Sequence, residues 1–152
     1  MSKKARSEGN RVAGLIKANK AEFYIADVDL GDNSSDVSLA VEVVKKTLGK
    51  TKAAFMLISA GIVCATVVSY VPLELEEKLN SEQWINESVK NISGKVDKKG
   101  FCSIITADTP FKLKDMIRSN GFSYLTKQGC MGDEESSEEF IGFDDFWFFI
   151  FK

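Results

Sequence analysis

Any chemistry done by this chain has to be done without histidine, because the sequence contains none. That removes the commonest general base and a leading metal ligand. Carboxylates gather most densely at Asp27, Asp29, Asp32 and Asp36, where paired acids could hold a hard cation. Their spacing fits no calcium loop, and helix capping accounts for Asp32 and Asp36, so no metal site is expected. Cys64, Cys102 and Cys130 are odd in number and widely spaced, with no zinc-ligand pattern. Cys64 and Cys102 fall in apolar runs, where a reduced thiol acts as a small hydrophobe. Gly94-Lys95 lacks the rest of a phosphate loop. No nucleophile–base pair emerges, so the chain reads as non-catalytic, with no catalytic residue and no cofactor assigned.

What the residue types do offer is cations. Lys95, Lys98 and Lys99 crowd a turn, and Lys112, Lys114 and Arg118 follow on the next helical segment. If turn and helix share an edge, six cations lie together and could neutralise several phosphates. Read only as a solvated surface, the same group is balanced in part by Asp97 and Asp115. Trp84 could stack a base, but on the apolar face of an amphipathic helix it belongs to the core.

The charge is polarised along the chain although the net value is only −2. Residues 1–20 carry +5, residues 21–130 carry −1 and residues 131–152 carry −6. Blocks of this kind read as a basic arm and an acidic tail flanking one domain. The tail also holds six of the eleven phenylalanines, beside Trp147. Interleaved acids and aromatics suit docking into an apolar groove, with Phe140, Phe143, Phe146 and Trp147 as the contacts to a protein partner or to the domain itself.

A length of 152 residues is about one domain. No apolar run approaches the roughly 20 residues of a membrane helix, so no membrane partner is expected. The first ten residues lack the apolar centre of a secretory signal, and a cytoplasmic address is expected. Nuclear and mitochondrial addresses stay open, the latter because Lys3, Lys4, Arg6 and Arg11 are opposed only by Glu8.

The elements that must position these residues follow from periodicity. Phe23, Ile25, Val28 and Leu30 mark a strand, and Val37, Ala40, Val41, Val44 and Leu48 repeat at helical spacing up to Gly49. The runs 53–59 and 62–71 form a hairpin closed by Pro72. Asn80 with Gln83 caps a helix carrying Trp84, Ile85, Val89 and Ile92, which Gly94 ends. Residues 100–106 make a fourth strand, and Thr109-Pro110 opens a helix that Asn120-Gly121 stops. Residues 121–125 could add a short further strand. The expected fold is α+β: a four-stranded, largely antiparallel sheet in βαββαβα order with helices packed on one face. Phe23, Ile25, Val41, Val44, Met56, Ile58, Val63, Trp84, Ile104 and Ile117 are expected in one core. A ferredoxin-like arrangement is one topology of this order.

The other comes from a resemblance. Val71-Pro72 at a strand end, Leu79, Trp84 and Ile85 on the following helix, and Gly94-Lys95 in the turn resemble the C-terminal globular domain of alanyl-tRNA synthetases. That domain is related to the one following DHH-type phosphoesterase cores. The likeness covers about residues 20–120. Where the family has a glycine triplet after Gly-Lys, this chain has Val96, Asp97 and Lys98. The resemblance implies recognition of tRNA or other structured RNA, without aminoacylation, since no catalytic domain accompanies it. The alternative is an interaction subunit of a larger assembly that docks through its aromatic tail.

Overall fold

The computed structural model describes residues 3–90, 92, 94–99, 102–107 and 110–130. Helix α1 (Lys3–Asn19) leads to strand β1 (Phe23–Asp27), helix α2 (Ser34–Leu48) and the hairpin of β2 (Ala54–Ala60) and β3 (Cys64–Tyr70). A 3-10 turn (Leu73–Leu75), helix α3 (Ser81–Ser88), strands β4 (Lys95–Lys99) and β5 (Cys102–Thr106), and helix α4 (Pro110–Lys127) complete the chain. The sheet has five strands in the order β1-β2-β3-β5-β4. β1 and β2 are parallel, with α2 as the crossover, and the other pairs are antiparallel. The α+β class holds, but the sheet is mixed and larger by one strand than expected.

Helices cover both faces, not one. On one side Phe23, Ile25, Met56, Ile58, Val67 and Ile105 pack against Trp84 and Ile85 of α3 and Ile117 and Leu125 of α4. On the other, Ala26, Phe55, Leu57 and Val68 pack against Val12 and Ile16 of α1 and Val37, Val41 and Val44 of α2. The expected single core is therefore two, divided by the sheet. Val63 falls in neither, being 56% exposed at the hairpin turn, and Ile104 is half-buried.

Three local differences have physical causes. The basic residues that read as an arm form α1, whose Ala5, Gly9, Val12, Ala13 and Ile16 make a buried stripe. Gly14, the residue that argues against this helix, sits on its exposed side, where its cost of about 1 kcal/mol is outweighed by burying Val12 and Ile16 at roughly 1.5–3 kcal/mol each. The extra strand β4 replaces the expected turn after Gly94: its sole apolar residue, Val96, packs against the core while pairing with Ile105. Finally, Gly121 does not stop the last helix. A Cβ there would lie 2.8 Å from Ile25 Cδ1 and 3.0 Å from Ser88 Oγ, so the glycine lets α4 run on to Lys127 while touching α3 and β1. The short strand expected at 121–125 is thus helical.

The Asn80 cap forms as expected, whereas α2 is capped by Asn33 and not by the side chain of Asp32 or Asp36, Asp32 being taken by the hairpin N–H groups. Asn33 accepts from the Asp36 N–H, and Asn80 accepts from the Gln83 N–H at 2.9 Å. Gly49 ends α2 at φ +58°. No helix among the described residues is long and apolar enough to cross a membrane.

Trp84 is fully buried and its Nε1 donates to the Gly121 carbonyl at 3.3 Å. Trp84→Ala removes the indole from the junction of α3, α4 and the sheet. It should cost about 3–5 kcal/mol in chemical denaturation. An unchanged midpoint would show that the indole is not a core residue.

Candidate nucleic-acid interface

The six predicted cations do not converge on one site. Lys95, Lys98 and Lys99 lie on β4, the last strand of the sheet, in register with Thr106, Ser103 and Cys102. Lys95 and Lys98 are exposed, as is Asp97 between them. Lys114 and Arg118 instead face the opposite end of the strand order. Arg118 Nη1 lies 3.4 Å from Asp27 Oδ2, and Lys114 also bears on that carboxyl. Four strand intervals of about 4.8 Å, roughly 19 Å, separate β1 from β4. Lys112 is exposed in the first turn of α4, which begins three residues beyond Ala107.

Gly94 fixes the start of the lysine strand. Its φ is +123°, and a Cβ would approach the Thr106 carbonyl oxygen to 2.7 Å and Ala107 Cβ to 3.2 Å. A close backbone approach and a backbone geometry reserved for glycine coincide here. Alternation along β4 then puts Val96 and Lys98 on the α3/α4 side, and Lys95 and Asp97 on the side of α1 and α2. On that second side Thr106 is exposed and Ile104 half-buried, so the β5–β4 surface there is open.

The other sheet edge is closed, and sequence reasoning missed how. The Arg11 guanidinium of α1 donates to the Asp27 carbonyl at 2.7 Å and to Glu8 at 2.9 Å. Glu8 in turn accepts from the Asp29 N–H at 3.0 Å, and Lys4 pairs with Asp29 at 3.0 Å. From the opposite layer Arg118 of α4 reaches the Asp27 carboxylate. Two arginines, one from each helical layer, therefore meet at the end of β1, and Ile25 is only 2% exposed although its strand is an edge. The guanidinium of Arg11 holds the Glu8 carboxyl below its usual range. Asp27 goes the other way. One oxygen faces Arg118, but Oδ1 is enclosed with no hydrogen bond among the described residues, and this burial outweighs Arg118 and Lys114 to push the carboxyl up.

The acidic run considered for a cation is spent on the fold. Asp32 Oδ1 accepts from the N–H groups of Val63 and Cys64, each at 3.0 Å, which ties the β1–α2 loop to the hairpin and lowers its pKa. Asp29 pairs with Lys4, and Asp36 donates its N–H to the α2 cap. The Cys64 thiol is pushed up by burial and by Asp32, the opposite of what a nucleophile needs. Phe140, Phe143, Phe146 and Trp147, expected to bind a partner, lie outside the described residues. No protein-family model and no curated protein matches this chain.

Asp27 gives a test with a defined sign. Its folded pKa is raised, so its stabilising contribution is complete below the unfolded value near 3.9 and is lost as pH rises through the folded pKa. Asp32 and Glu8, with lowered values, contribute above their unfolded pKa and lose that as pH falls. Asp27→Asn should therefore gain thermal stability relative to the parent as pH is raised from about 4 toward neutrality. A relative gain that appears only on acidification would mean that the Arg118 ion pair, not burial, governs Asp27.

Proposed function

We propose that this chain recognises structured RNA, tRNA being the class implied by the resemblance, and that it contacts phosphates along the lysine edge of β4. The observation that supports the reading is local. Among the described residues Lys95 and Lys98 stand exposed on an edge strand that ends at Lys99, and neither Lys95 nor Lys98 makes an ion pair. Lys95 and Lys98 project from opposite faces of this edge, so a phosphate backbone that wraps the edge can meet both, and Lys112 in the first turn of α4 can add a further contact. Lys114 and Arg118 are left out of the RNA-binding set, because they are turned to Asp27.

One observation favours the alternative of an interaction subunit without RNA. Ile62 is 83% exposed and Val63 56% exposed at the hairpin turn, whose Val63 carbonyl accepts from the Ala107 N–H beside Gly94. Two adjacent apolar side chains projecting into water suit a protein contact.

A tRNA mobility-shift series over salt separates the two. Replacing Lys95, Lys98 and Lys99 with Gln should weaken binding and flatten the log–log salt slope by about 0.7–0.9 for each phosphate no longer neutralised. Lys114→Gln should leave the slope nearly unchanged. Equal affinity and slope in the triple variant would discard the β4 site. No binding by the intact chain at low salt would discard the RNA reading and leave the hairpin turn as the surface to pursue.

A further inference from the structure

At the end of the sheet where β1 and β2 begin, the end of α1 and the loop before β2 flank an open cleft of about 420 Å³. Lys17 and Lys20 line it from the α1 side, Thr51 and Lys52 from the loop, and Glu22 stands just before β1. Ile16 lies beneath but is fully buried, so the cleft presents chiefly lysine side chains, one hydroxyl and one carboxylate. Lys17, Lys20, Thr51 and Lys52 are all exposed. Glu22 faces Lys78 at 3.9 Å and Lys52 reaches Glu74 at 3.1 Å, both outside the lining. Lys17 and Lys20 make no ion pair among the described residues. Three cations thus oppose one carboxylate around an open space.

Lysines often gather at helix C-termini to meet the last carbonyls, but here the backbone already closes them. The Ala21 N–H donates to the Ile16 carbonyl at 3.1 Å and the Lys20 N–H to the Lys17 carbonyl at 3.2 Å. Across the cleft the Thr51 N–H donates to the Leu48 carbonyl at 2.9 Å. The first two bonds make the helix-ending turn whose left-handed position glycine usually fills. Lys20 fills it instead, at φ +52°, the one positive-φ residue other than glycine among the described residues. A β-carbon is disfavoured in that conformation, so the fold alone favours glycine at this position. What the lysine adds is a charge at the cleft.

We propose that this cleft binds a group of clustered phosphates, with Lys17, Lys20 and Lys52 as its cations and the Thr51 hydroxyl as a further donor. Cations placed around one space suit a compact anion of two or more charges, whereas a single surface charge would engage one lysine at a time. Lys52 exchanges Glu74 for phosphate at little loss, because an exposed ion pair is weak. A free polyphosphate and the folded backbone of an RNA both present such a group. The inference is independent of the β4 site, since none of its residues belongs to that strand.

Sodium tripolyphosphate titrated into the nitrogen-15-labelled full chain at low salt tests the site through its amide shifts. Saturable shifts should appear at residues 17–22 and 51–52, and not with sodium chloride at the same ionic strength. Lys17→Gln and Lys20→Gln should each weaken affinity about two- to fivefold, while Lys95→Gln leaves it unchanged. Lys20→Gly separates ligand from backbone: it should raise the melting temperature by relieving the left-handed residue, and lose as much affinity as Lys20→Gln. Added tRNA that reverses these shifts would make RNA the source of the phosphates, and tRNA that leaves them unchanged would make it a free polyphosphate; either supports the site. Shifts that do not saturate, or that sodium chloride reproduces, would overturn it. So would affinity that survives Lys17→Gln and Lys20→Gln, affinity lost equally in Lys95→Gln, or a Lys20→Gly protein that gains stability and binds as tightly as before.

Discussion

Every residue from Ala54 to Ser59 is buried, so strand β2 presents no side to water and must be covered on both faces. Its neighbour β3 is buried from Cys64 to Ser69 in the same way. An antiparallel hairpin often keeps one face wet, with alternating polar residues, but Phe-Met-Leu-Ile at 55–58 does not alternate. This one constraint requires two helical layers, and the chain supplies them in order. α1 precedes β1, α2 is the crossover from β1 to β2, and α3 and α4 follow the hairpin. The parallel β1–β2 pair is a consequence as well, because a helix lying between two neighbouring strands must cross over one face. With the hairpin buried on both sides, the remaining strands have only the margins of the sheet to occupy.

The two margins are treated differently. At β1 the layers meet: Arg11 from one and Arg118 from the other close on Asp27, leaving Ile25 as buried as any core residue. The cations there are matched by Glu8, Asp27, Asp29 and Asp115, so the cluster works as a clasp and has no surplus charge to offer a ligand. At β4 no helical layer closes in among the described residues. Lys95, Asp97 and Lys98 are exposed, and only Val96 joins the core. The exposed charge of β4 thus lies where the packing is incomplete.

Much of this is legible in sequence, and the limits are instructive. The residues carrying the resemblance, Val71, Leu79, Trp84 and Ile85, are all buried, so what they encode is packing of the hairpin against α3. Helical spacing places α2, and Asn80 places the start of α3, because those signals are local. The unseen features depend on distance in space. Gly14 and Gly121 both look like helix breakers in one dimension. One is simply exposed, and the other marks a close approach to Ile25 and Ser88 that no local rule reveals. The six cations look like one patch because they are near in sequence, yet Asp27, 91 residues before Arg118, claims the middle of α4. β4 reads as a turn because strand patterns are sought in apolar alternation, and this strand has a single apolar residue.

That single residue also explains why a strand forms after Gly94. Glycine is poor in strands, while Val96 has both the propensity and a core site to fill. Pairing with β5 gives the lysines of this edge a fixed register. An uncovered edge strand invites addition of another strand, and lysines are a common defence, since a second lysine-bearing edge is repelled. A phosphate backbone is attracted by the same charges and cannot add as a strand. Lys95 and Lys98 can thus guard the sheet against copies of itself and remain open to a polyanion.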